Sequence, residues 1–261
     1  MGSGGTGTLD EAYQRLHATG PEFDGWLSNH GPMAAEAMVR HGQAGQVHRW
    51  LDGYMRRLEE FPRGSGPIGA GWRDALGDPR RIADWTAYFR REVTGQPWRQ
   101  ALEVWWPRLL PGVAAAATHG VIRVGHAVRA LTDDGQDADH LTELAHGLAY
   151  WAARWQPLPG VPAAEPPRVI VPTTAGEPVE AGLAAAAALT AIYAPAAPAA
   201  HTELPDSLAG PQAVEEIFAR AVEHGDEHVI KFADTAADVY ARTGHADALA
   251  AAVRATQLIG R

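Results

Sequence analysis

Residues 226–243 read DEHVIKFADTAADVYART, with Gly244 directly after them. Val229, Ala233, Ala236, Ala237 and Tyr240 recur at intervals of three and four, the period of one face of an α-helix. His228, Lys231, Thr235 and Asp238 fall together on another face, within an arc of about 80°. The spacing predicts a helix over the whole stretch, stopped by Gly244. His228 and Lys231 stand at i and i+3, so their side chains are neighbours. Of the 22 lysines and arginines in the chain, Lys231 is the only lysine. Richness in alanine, glycine, proline and arginine gives that an ordinary explanation, a GC-rich genome. The chemical alternative is that arginine cannot do the work of Lys231, since a buried lysine can lose its proton and an arginine effectively cannot.

Outward from this helix the same periodicity continues. It predicts helices at Leu9–Ala18, Pro32–His41, Gln46–Glu60, Asp78–Val93, Trp98–Leu110, Val113–Leu131, Asp139–Trp155, Glu180–Tyr193, Pro211–Glu223 and Ala246–Ile259. The last of these pairs antiparallel with 226–243 across Gly244. No convincing strand alternation appears. The expected fold is all-α, a single compact multi-helix domain over 1–261. A Pro-rich connector or lid at 156–178 separates N- and C-terminal helical halves, and 1–8 reads as a flexible tail.

Composition bounds the function. Hydrophobic residues make up 46% and charged residues 20%, as in ordinary globular proteins. No run reaches the roughly 18 apolar residues of a membrane span, and the N-terminus lacks the pattern of a secretory signal. The absence of cysteine excludes disulfides, thiolate metal sites and cysteine nucleophiles. A net charge of −9 argues against nucleic acid and anionic membrane as partners. The expected location is the cytoplasm; oligomeric state is not legible.

Histidines carry the remaining chemistry. On the helix predicted at 113–131, His119, Ile122, His126 and Ala115 face away from Val121, Val124 and Val128, with Arg123 beside them. His119 and His126 lie about 10.5 Å apart along the axis, far for two ligands of one metal but within reach of imidazole arms. A core helix with two hydrogen-bonded histidines fits equally well. In Asn29-His30-Gly31-Pro32, Asn29 or Ser28 can cap the next helix, leaving His30 beside its N-terminus. His17, His41, His48, His140, His146 and His245 read as surface or locally bonded residues. There is no HExxH, GxSxG, P-loop or dinucleotide fingerprint, so no motif supports NAD(P)H.

Three segments together resemble the questin oxidase-like family: Ser28-Asn29-His30, the stretch from Thr118 to Ala127 of form HGxxRxGHA, and His228-Val229-Ile230-Lys231. The similarity runs from about Leu9 to Pro157 and resumes over His224–Tyr240, in a chain shorter than the fungal relatives. The family opens anthraquinone-type rings in aromatic polyketide pathways. It has been described both as Baeyer–Villiger monooxygenases and as non-haem iron dioxygenases. The resemblance implies Fe(II) held by His30, His119, His126 and His228, with a CO2-derived carbamate on Lys231 as the anionic ligand and His224 as the substitute ligand. It implies O2 and a small aromatic substrate as partners. Nine tryptophans offer stacking surfaces, and Trp26, Trp105, Trp106 and Trp151, with Arg123, are the candidate substrate contacts. Two rival readings stay open: a zinc hydrolase using the same residues, and a non-enzymatic helical protein that binds an aromatic compound.

Overall fold

Asp226 caps the helix predicted at 226–243: its carboxylate accepts from the backbone N–H groups of His228 and Val229. The helix then runs Glu227–Thr243 and stops at Gly244, whose φ of 71° is the left-handed C-cap that glycine adopts without cost. The structure is a computed structural model and describes residues 4–133, 137–157, 203–208 and 210–260. Among them ten α-helices and one two-stranded hairpin carry the fold, which is all-α. In chain order the helices are α1 (Gly4–His17), α2 (Gly31–Arg40), α3 (Ala44–Tyr54), α4 (Ile82–Gly95), α5 (Trp98–Leu109), α6 (His119–Asp133), α7 (Ala138–Ala153), α8 (Ala213–His224), α9 (Glu227–Thr243) and α10 (Asp247–Leu258). None of them is long and apolar enough to cross a membrane.

The described residues form two units. One collects 4–16, 29–58 and 203–260, so the two ends of the chain meet in it; the other is made of 17–28, 59–133 and 137–157. The division therefore does not follow the expected halves on either side of 156–178. Residues 158–178, and the helix expected at 180–193, lie outside the described residues.

In the first unit α9 packs against α2, α8 and α10. Its Val229, Ala233, Ala236 and Ala237 are buried, as the periodicity predicts; Ile230 is buried with them, and Tyr240 is half-buried. In the second unit α7 packs along α4 and α6. Gly120 makes that approach close, because a Cβ there would fall 2.7 Å from the Cβ of Trp151. A tryptophan-rich core fills the rest. Trp85 meets Trp105 edge to face at 5.4 Å, and Phe89 meets Trp105 at 4.9 Å.

Three local expectations change. First, α1 begins at Gly4, so 4–8 belongs to a helix and not to a tail. Once Leu9–Leu16 is anchored, each added residue gains a hydrogen bond, which offsets glycine's cost of about 1 kcal/mol. Second, the helix expected at 113–131 starts only at His119. Ala116, Ala117 and Thr118 hold φ of 48°, 50° and 67°, and this left-handed turn breaks the run. Alanine's helix propensity is overruled by packing, since Gly112 and Val113 are buried before the turn. Third, Glu22–Phe23 pairs antiparallel with Leu27–Ser28 (β1 and β2) across Asp24-Gly25. Two-residue strands show no alternation; the Asp-Gly turn is the only sequence sign of them.

Candidate metal centre

His30 occupies the N-cap position of α2. Its backbone N–H donates to the Tyr54 hydroxyl at 2.6 Å, and Asn29 accepts from Gly31 N–H at 2.9 Å. Neither Asn29 nor Ser28 is the expected cap: the N-cap is His30, without a side-chain cap bond, and Asn29 instead forms a turn at the entry to α2. Gly31 is pressed into the core, where a Cβ would fall 2.5 Å from Leu16. His30 itself is buried.

From the other end of the chain, the first turn of α9 brings Glu227 and His228. The rings of His30 and His228 meet edge to face with centroids 4.6 Å apart. Ligand atoms of His30, Glu227 and His228 all lie within 4.8 Å of one another. His30 and Glu227 are buried; His228 is exposed. Arg57 donates to Glu227 Oε2 at 2.6 Å, and the His30 Nδ1 stands 3.9 Å from Oε1. The Nδ1 of His228 lies 3.1 Å from Asp226 Oδ1, a carboxylate–imidazole contact that helps to hold the ring. Trp50 stacks on Tyr54 at 4.7 Å, and the Arg57 guanidinium lies 4.2 Å from the Tyr54 ring. Burial and the nearby Glu227 carboxylate push the Tyr54 hydroxyl above its ordinary range, so it stays protonated.

Two imidazoles and a carboxylate suit a divalent transition metal. Bonds of about 2.1 Å to a shared ion put adjacent ligand atoms about 3 Å apart. The ligand atoms of the trio lie within 4.8 Å of one another, so the donor types suit a metal, and an ion there would have to draw them closer. Lys231 follows one turn after Glu227 and is half-buried. Burial brings its ammonium down to about 8, against the upward pull of Glu227 and Asp226. About one-tenth of the group is then neutral at pH 7, far more than for an ordinary lysine.

Of the other expected ligands, His119 and His126 stand half-buried on α6. The His119 Nδ1 approaches the Ala116 carbonyl at 2.5 Å, and the His126 Nδ1 lies 3.1 Å from Arg129. The Nε2 of His224 pairs with the Ile259 carbonyl at 3.0 Å, and His224 is not among the clustered ligands. Glu227, Arg57 and Tyr54 were not legible as site residues. The sign for Glu227 was an acid at the first turn of the helix, adjacent to a candidate histidine; an expected carbamate had filled the anionic role.

The expected substrate contacts also need correction. Arg123 is 4% exposed and donates to Glu143 through Nε at 2.6 Å and Nη2 at 2.8 Å, so its fork is taken by a helix acid. Trp105 and Trp151 are core residues, and Trp151 donates its indole N–H to the Gly112 carbonyl. Trp106 is half-buried against Trp151. Trp26 alone keeps an open ring, 71% exposed on the β1–β2 turn. Of the histidines expected to be at the surface or locally bonded, His140 and His146 are buried and His17 is half-buried. His17 lies 2.9 Å from Glu143 and stacks on His146 at 4.6 Å, and His140 is fully enclosed beside Asp137. Burial leads the factors that hold His146 well below its ordinary value, with His17 and Arg123 adding to it.

Compared with family models, with curated proteins and with solved structures, the chain matches none.

Proposed function

We propose that the chain is a metal-dependent oxygenase that acts on a ring of an aromatic polyketide in the cytoplasm, with non-haem Fe(II) held by His30, Glu227 and His228. The observation that carries this is the meeting of two distant histidines with a buried carboxylate within 4.8 Å. The resemblance of the segments around His30, 118–127 and 228–231 supports the oxygenase reading. Fe(II) bound here would supply activation of O2 and polarisation of a substrate carbonyl.

The chain's own residues have definite parts. Arg57 holds Glu227 in place while leaving Oε1 toward His30. Asp226 orients His228, and Tyr54 fixes the backbone at His30. Neutral Lys231 adds to CO2, forming an N–C bond and releasing one proton, and gives a second anionic oxygen donor on the same helix. The test is anaerobic loading with Fe(II), metal analysis, and O2 uptake with a hydroxylated anthraquinone. One iron per chain and uptake that needs both iron and quinone support the reading. Retention of iron by His228→Ala sinks it. The same donor set also serves catalytic zinc. Selective zinc binding without O2 uptake would favour a hydrolase, and quinone binding without metal a carrier.

A further inference from the structure

The second unit holds a cleft of about 290 Å³ between the β1–β2 turn, the Gly77–Pro79 loop, the left-handed turn at Ala116 and the end of α7. Its walls are aromatic on two sides. Trp26 offers an open indole, the most exposed large apolar side chain among the described residues. Trp155 is held rigidly: its N–H donates to the Leu109 carbonyl at 3.2 Å, and its ring lies so close to Gly112 that a Cβ there would fall 2.5 Å away. Gly77 locks the rim. Its φ of 73° favours glycine, its N–H donates to the Ala152 carbonyl at 2.9 Å, and a Cβ would strike the Trp155 carbonyl. The Trp155 wall of the cleft is therefore preformed, while the exposed Trp26 forms its open side.

Its polar side is Arg154. Nε donates to Glu22 at 2.6 Å and Nη2 also bonds to Glu22, while Nη1 makes no hydrogen bond among the described residues. Glu22 cancels most of the guanidinium charge and is itself held by the Tyr150 hydroxyl at 3.1 Å. The spare donors thus suit a neutral or weakly acidic oxygen better than a strong anion.

We infer that this cleft binds a planar aromatic compound of one or two fused rings bearing a hydroxyl or carbonyl oxygen. The ring stacks between Trp26 and Trp155, and the oxygen accepts from Arg154 Nη1. The volume lies just below the range of about 300–1,000 Å³ for ligand sites, which favours a small ligand. The cleft shares no residue with the trio His30, Glu227 and His228, so it is tested apart from the reaction proposed above.

The experiment uses the full chain stripped of metal with EDTA, with 2-naphthol as probe, so loss of the iron reading leaves it unaffected. Titration calorimetry reads affinity, and ¹⁹F spectra of 5-fluorotryptophan-labelled protein identify the ring that moves. Saturable binding is expected, with the shifted resonance being the one absent from Trp26→Phe. Trp26→Ala should weaken binding about tenfold or more with unchanged melting, since the ring is exposed. Arg154→Lys should weaken 2-naphthol several-fold and leave naphthalene unchanged. No saturable binding up to the probe's solubility overturns the proposal, as does a Trp26→Ala protein that binds as tightly as the parent.

Discussion

His30 and His228 meet edge to face at 4.6 Å, one buried at the entry to α2 and the other exposed on the first turn of α9. With Glu227 between them they form a small polar cluster built from both ends of the chain. His228→Ala and Glu227→Gln should each lower Fe(II) or Zn(II) affinity by 100-fold or more, measured by competition with a chelating dye. Asp226→Asn keeps the helix cap, because asparagine caps as well as aspartate. It weakens the hold on the His228 ring, so a loss of about tenfold in metal affinity with unchanged thermal stability is expected.

Lys231, as the only lysine, can be labelled selectively. Reductive ¹³C-methylation should give one side-chain signal titrating near 8, absent in Lys231→Arg. Under ¹³CO2 the unmodified protein should show a carbamate carbonyl signal that Lys231→Arg lacks. An ordinary titration near 10.5 would remove the basis for a carbamate. Because the folded value is depressed, the unfolded chain binds the extra proton between about 8 and 10.5, and this group makes stability rise with pH there.

Glu143 sits fully enclosed between Arg123 and His17. Burial alone would raise its carboxyl, but the charge and hydrogen bonds of Arg123, aided by His17, hold it at about 2. Its contribution, on the order of 3 kcal/mol, is present above the unfolded value near 4.5 and lost as pH falls from there toward 2. Urea unfolding of the parent should therefore show a steep loss of stability from pH 5 to 3. Arg123→Met leaves a buried carboxylate unpaired and should cost about 3–5 kcal/mol at pH 7. That cost should shrink in acid, where Glu143 becomes protonated.

The tryptophans divide by role. Trp105→Ala should cost about 3–5 kcal/mol, because it empties the centre of the cluster with Trp85 and Phe89. Trp26→Ala should stay within about 0.5 kcal/mol. Denaturant midpoints of the two variants check this directly.

Ala117 is exposed and left-handed, with φ 50° and ψ 45°. Relief of about 1–2 kcal/mol of backbone strain outweighs glycine's entropic cost of about 0.5–1 kcal/mol. Ala117→Gly should thus stabilise by up to about 1 kcal/mol in urea unfolding. A loss of stability would show that the turn at 116–118 is not as described.

Helical periodicity made most of the helices readable, and α9 shows why. Its buried face is continuous and its ends carry a capping Asp226 and Gly244, so local and tertiary preferences agree. They disagree at Ala114–Ala117, where propensity favours a helix and packing imposes a turn. The hairpin escaped because two-residue strands have no period. At the site, His30 and His228 were legible as residue types, but not Glu227, whose burial depends on α2 and α3 lying over it. Arg123, Trp105 and Trp151 were misread for the same reason. A charged fork or a large ring serves a core as readily as a ligand, and only the partner tells them apart.

The discontinuity of the first unit has a consequence for the newborn chain. Its segments 29–58 and 203–260 are separated by the larger part of the second unit, which begins at residue 59. During synthesis, the tryptophan-rich middle is complete long before α8, α9 and α10 leave the ribosome. At about 5–20 residues per second, α2 and α3 wait roughly 10–40 seconds with their apolar faces uncovered. Closure then demands contacts of very long sequence separation, the slowest kind to form. This makes the interval before α9 arrives the period of greatest exposure to chaperones and to aggregation.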